Sequence, residues 1–156
     1  MKKSFEYIIK ISKTEFYDKL KEHTAFNCSS SSYDNGYEFY CDNSKNITDL
    51  KVTSTSLLSR EGILAPLIKI QTKQLDENLK VNLTLQSNKI YYFLAVLFSL
   101  AGVLFGLITY FSLANLCLAM IISIVFILII NLAFFIVTKG KFTDAKERFE
   151  SVFISS

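Results

Sequence analysis

Between Ile90 and Thr138 the sequence contains no Asp, Glu, Lys, Arg or His. A water-facing surface needs charge, so this stretch is not an ordinary soluble domain. It is more than twice the roughly 20 apolar residues that one spanning helix requires. Two helices joined by a tight turn fit it. The chain also has a single histidine, His23, a single proline, Pro66, only five glycines and no tryptophan. His23 falls at the end of a predicted helix, where an exposed or capping role suffices. With no second histidine, no metal-binding His pair can form. No nucleophile motif, paired acidic motif or phosphate-cradling Gly loop is present, and the acids are scattered over turns and helix faces. The expectation is a protein that is not an enzyme and holds no cofactor. Of the three cysteines, Cys117 lies in the apolar block, and Cys28 and Cys41 show neither CxxC spacing nor histidine neighbours, which argues against zinc. In a reducing compartment Cys28 and Cys41 are expected to be two free thiols.

Charge is abundant outside that stretch but not one-sided. Residues 1–89 carry 13 Lys/Arg against 11 Asp/Glu, and residues 139–156 carry 4 against 3. Neither piece is a basic arm, so no nucleic-acid partner is expected. The opening "MKK" is not followed by a signal-peptide core, because Glu6 and Lys10 interrupt the apolar residues. The N-terminus is therefore expected to be retained.

The N-terminal part reads as β-α-β-β-β-β-β. Phe5, Tyr7, Ile9 and Ile11 alternate and predict a strand. Ser12-Lys13-Thr14-Glu15 has capping-box spacing and opens a helix from Lys13 to about Glu22, with Phe16 and Leu20 on its buried stripe. "AFNCSSSSYDNGYEFYCD" predicts a β-hairpin around Asp34-Asn35-Gly36, because Asn and Gly accept the positive φ of primed turns. With Asn35-Gly36 as the loop, Cys28 faces Asn43. With Asp34-Asn35 as the loop, it faces Cys41. Glycine belongs at the second turn position, which favours the former. Leu50 and Val52 mark another strand. Pro66 precedes a further one that carries Ile68, Ile70 and Thr72 on one face. Asp76-Glu77-Asn78 is a turn, and Val81, Leu83 and Leu85 form the inner row of the last strand. Short connections make the sheet mostly antiparallel. One apolar sheet face must then be covered, and the first helix is too short to do so alone.

The boundaries that follow are a cytoplasmic β-rich domain over 1–89, a transmembrane hairpin over 90–138 (spans 90–110 and 115–138), and an amphipathic C-terminal helix over 139–156. Lys89, Lys139 and Lys141 flank the ends of the spans, and the turn from Tyr110 to Asn115 has no Lys or Arg. The positive-inside rule then puts both termini in the cytoplasm, with the chain multi-pass in the plasma membrane. Three Asn-x-Ser/Thr matches are irrelevant on that side. Gly102 and Gly106 form a GxxxG spacing, expected to pack the two spans together with Ala119 and Ser123 opposite. A homodimer seam is the other use of such a spacing. Asn115 is expected to cap the second span. Asn131, deeper in it, needs a hydrogen-bond partner. In the tail, Phe142, Ala145, Phe149, Val152 and Phe153 make an apolar stripe, and Thr143 is an expected N-cap. Docking of Phe142, Phe149, Val152 and Phe153 on the sheet is the favoured target. The membrane interface and a partner protein are the others.

The fold class expected is thus an α+β membrane protein. It is an antiparallel β-sheet with a short N-terminal helix and a C-terminal helix, interrupted by a transmembrane helical hairpin. In element order this is similar to a reduced helix-grip arrangement of the START type. The stretch "LLSREGILAPLIKIQTKQLDENLKVNLTLQSNKIYYF", with Arg60 and Pro66 a few residues apart before two strands and two spans, resembles a group of small uncharacterised bacterial two-span membrane proteins with a β-rich cytoplasmic domain. The resemblance covers about residues 50–138 and implies an architecture, not an activity. The function expected is a membrane-anchored cytoplasmic binding module. Besides the lipid bilayer, it would engage a membrane-protein partner, a second copy or an apolar ligand. The alternative is a small effector or accessory subunit, of immunity or transporter type, acting through its hairpin.

Overall fold

The computed structural model describes residues 1–26, 37–41, 49–52, 65–87, 89–113 and 115–154. Among the described residues nine elements follow one another: β1 (Lys2–Ile9), α1 (Lys13–Glu22), β2 (Thr24–Phe26), β3 (Phe39–Cys41), β4 (Asp49–Val52), β5 (Leu67–Leu75), β6 (Asn78–Gln86), α2 (Lys89–Leu113) and α3 (Leu116–Phe153). They fall into two compact units. One is Met1–Asn88 with Lys141–Ser156; the other is Lys89–Gly140.

The first unit is built on a six-stranded sheet in the order β1-β6-β5-β4-β3-β2. The long strands pair without interruption. Register runs from Lys2↔Gln86 to Ile9↔Leu79, and from Leu67↔Gln86 to Leu75↔Asn78. The β5–β6 turn uses Asp76 at φ 44, which Asp tolerates better than most side chains. On the inner face Ile68, Ile70, Leu79, Val81, Leu83 and Leu85 are fully buried. Phe5, Tyr7, Ile9 and Ile11 pack half-buried at the edge of the same cluster. The outer face is polar, as alternation requires for a sheet covered on one side.

α1 begins where its cap dictates: Ser12 Oγ accepts the Glu15 N–H at 3.1 Å. It contributes Phe16 and Leu20 to the core. The last part of α3 supplies the rest of the cover with Phe142, Ala145, Phe149, Val152 and Phe153. Ring centroids lie 4.6 Å apart for Phe16–Phe153 and 4.8 Å apart for Phe149–Phe153. Burying each such ring is worth about 1.5–3 kcal/mol against leaving it in water.

Two expectations need correction. The β2–β3 hairpin is not formed. The strands are parallel, with Thr24↔Phe39, Ala25↔Tyr40 and Phe26↔Cys41 in register. The N–H groups of Glu38 and Phe39 both reach the carbonyl of His23, which fixes that direction. Twelve residues separate the two strands in the sequence, the length that a parallel connection needs. Cys28 and the Asp34-Asn35-Gly36 turn lie outside the described residues, as do Arg60 and Asn43; Cys41 is buried in the core. The second correction concerns the tail. It is not a separate helix capped by Thr143, because α3 runs unbroken from Leu116 to Phe153. Gly140 costs only about 1 kcal/mol against Ala inside a helix, and no proline follows to break the ladder.

Candidate functional site

The second unit is an antiparallel helix pair. Asn115 starts α3 as its cap, its Oδ1 accepting the Leu118 N–H at 3.1 Å. Both α2 and α3 contain a stretch long and apolar enough to cross a membrane. Their contact face holds the glycines. A Cβ on Gly102 would stand 2.5 Å from Cγ1 of Ile127, and one on Gly106 would overlap the Ser123 hydroxyl. These two positions therefore require glycine because of the close approach. The approach permits a hydrogen bond between the helices: Ser123 Oγ donates to the Gly102 carbonyl at 2.9 Å. Buried Ala119 lies beside Gly106, with its carbonyl facing the glycine.

Asn131 is satisfied twice. Its Nδ2 donates to the Ile127 carbonyl at 2.8 Å and to Ser99 Oγ across the pair at 3.4 Å. Aromatic contacts continue the interface: Phe105 stacks on Phe126 at 5.6 Å, and Phe98 lies 5.4 Å from Phe134. Towards the turn the helices leave an apolar groove of about 510 Å³, lined by Val103, Leu107, Tyr110, Met120 and Ile124, with Gly106 also in its wall.

In the first unit the polar groups gather where the end of α3 crosses the sheet. The Tyr7 hydroxyl donates to Glu150 Oε1 at 3.1 Å, and Lys146 Nζ approaches the same oxygen at 3.3 Å. Lys146 also lies 5.4 Å from the centre of the Phe5 ring. Arg148 pairs with Asp144 at 3.1 Å and with Glu38 at 3.3 Å, tying the helix to the segment before β3. These pairs are partly solvated, and each is worth at most about 1 kcal/mol. Burial, and then the adjacent Glu150 carboxylate, push the Tyr7 phenol well above the ordinary tyrosine value. His23 serves as the C-cap of α1, its N–H donating to the Lys19 carbonyl.

Of the residues singled out in the sequence, Gly102, Gly106 and Asn131 share the helix-pair face. Phe142, Phe149, Val152 and Phe153 share the sheet core. Sequence reasoning missed Ser123 as a donor to a backbone carbonyl and Tyr7 as the partner of Glu150. The first had a signal in its place opposite Gly102; the second depends on tertiary packing. Among the described residues no three His, Cys, Asp or Glu side chains are grouped to hold a metal ion. Comparison with known protein families, curated proteins and solved structures finds no match to this chain.

Gly106→Ala should weaken the helix pair by about 1–3 kcal/mol through overpacking. Ser123→Gly in the same chain should recover part of the loss. Thermal unfolding in detergent, followed by circular dichroism, measures both. A phenol whose folded-state pKa is raised adds stability that is complete below its unfolded value near 10 and disappears as pH rises through the folded one. The chain should therefore lose stability above about pH 10, and Tyr7→Phe should flatten that decline in a pH series of denaturation midpoints.

Proposed function

We propose that the chain is a membrane-anchored interaction module without catalytic activity. Its helix pair crosses the bilayer, both termini face the cytoplasm, and the sheet unit engages a membrane-protein partner. One observation carries the anchoring. The apolar side chains of α2 and the first part of α3 are turned outward: Phe93 is 66% exposed, Ile108 63% and Leu128 62%. The core helix of a soluble protein buries such residues, and apolar surface on this scale marks contact with lipid or protein. The plasma-membrane, cytoplasmic-side assignment rests on Lys89, Lys139 and Lys141 at the helix ends and on the lysine-free turn.

A protein partner is preferred to an apolar ligand because the sheet's inner face is filled. Phe16, Phe149 and Leu83 have no exposed surface there, and Phe142 has almost none. A ligand would have to displace the end of α3. The second reading, a small effector acting through the helix pair, is favoured by the groove beside Gly106.

Single cysteines at Ser44, Ser112 and Ser155, in a cysteine-free chain treated in intact cells with a membrane-impermeant thiol reagent, test the anchoring. Ser44 and Ser155 lie outside the described residues; Ser112 is at the turn end of α2. Labelling at Ser112 alone is expected. Labelling at Ser44 and Ser155 but not Ser112 inverts the orientation, and labelling at one of that pair sinks the two-span arrangement. The two readings separate by complementation of a deletion strain. Loss of function with Phe149→Ala but not with Gly106→Ala supports the sheet module; the reverse supports the helix-pair effector.

A further inference from the structure

The sheet has two unlike edges. β2, at one side, is three residues long. β1, at the other, is eight residues long, contains no proline and pairs with β6 in one constant register with no bulge. Natural sheets blunt their edges by shortness, proline, bulges or charged side chains, because an open edge presents unpaired N–H and C=O groups to any other strand. β2 is protected by its length; β1 carries only the charges of Lys2, Lys3 and Glu6, which repel a strand of like charge but not one that sets opposite charges against them. The direction of the groups on β1 follows from a single bond. The Ser87 N–H donates to the Met1 carbonyl at 2.9 Å, so Met1 is in a hydrogen-bonded pair with the β6 side. Such pairs alternate along antiparallel strands. Lys3, Phe5, Tyr7 and Ile9 therefore turn their backbone groups to β6, and Lys2, Ser4, Glu6 and Ile8 turn theirs away. Among the described residues no strand pairs with that second row.

The side chains of the same row are Lys2, Ser4, Glu6 and Ile8, all exposed on the outer face of the sheet. A cation, a hydroxyl and an anion thus stand at equal spacing around Ser4. A two-fold axis at Ser4 turns that order into its complement. Each Lys2 then stands opposite the Glu6 of the other strand, and the two Ser4 residues face each other. An axis at Glu6 would oppose two carboxylates. An axis at Phe5 would set Lys2 against Ile8 and form no ion pair. Glu6 already meets Lys80 at 2.7 Å, and a carboxylate has a second oxygen for the incoming ammonium.

We infer that the partner of the β1 edge is a second copy of this chain. Two copies join antiparallel through β1 about a two-fold axis at Ser4, so that two six-stranded sheets become one continuous sheet. The contact is isologous, as closed dimers require. It does not depend on the membrane reading, since every residue in it belongs to the sheet unit.

The test uses the full chain in lysates of the cells that express it, without native cysteines, carrying either Ser4→Cys or Ile8→Cys and oxidised with copper phenanthroline. Facing Ser4→Cys residues should give a disulfide-linked dimer. Two Ile8→Cys residues would be about 27 Å apart at 3.4 Å per residue, and should not. Lys2→Glu or Glu6→Lys alone should cut the Ser4→Cys dimer at least fivefold, and the two reversals together should recover it. That recovery cannot come from a misfolded chain. No dimer at Ser4→Cys, equal dimer at Ile8→Cys, or yields that ignore the charge reversals would each overturn the inference.

Discussion

The aromatic contact among Phe16, Phe149 and Phe153 is what makes the sheet unit a unit. The sheet's strands and α1 come from the first part of the chain, and the cover for its inner face comes from the last. α1 alone offers Phe16 and Leu20, too little to shield Leu79, Val81, Leu83 and Leu85 along β6 with Ile68 and Ile70 beside them on β5. An uncovered apolar face of that size is unstable in water. The ion pairs around Arg148 and Glu150 sit at the rim and orient the helix, but exposed pairs are too weak to hold it. The rings hold it, and the polar groups choose its register.

The helix pair obeys different physics. Its outward surface is apolar, and in the bilayer proposed for it side chains of that kind would gain nothing by leaving lipid for one another. What remains is close packing and polar satisfaction. The glycines allow the backbones to approach, the approach brings Ser123 to a carbonyl, and Asn131 bridges to Ser99. Each step depends on the one before. A methyl group at Gly106 therefore removes more than its own volume.

Much of this was legible in the sequence, and each exception has its own cause. The Ser12 cap, the alternation of β1 and β6, the placement of Pro66 just before β5 and the Asn115 cap are local signals, and local structure obeys them. The parallel pairing of β2 and β3 was not legible. Asn35-Gly36 is a good turn signal, but a strand's partner is chosen by which backbone groups and core positions it can reach. Phe39 is fully buried and its N–H is taken by His23. The continuity of α3 was hidden for the opposite reason. Thr143 and Asp144 look like a helix start, yet a good cap residue inside an existing helix has nothing to cap. The Tyr7–Glu150 contact joins residues too far apart in the chain for any spacing rule to find.

The order of the chain sets an order of assembly. During synthesis β6 emerges well before Phe149, and both apolar helices must be made in between. At about 5–20 residues per second the delay is roughly 3–12 seconds. Through that interval the nascent sheet lacks its cover and stays open to chaperones and proteases. Closure can only follow translation of the helix pair. A chain whose apolar helices fail to settle thus presents an unfinished sheet, and quality control can recognise it before the last residues fold.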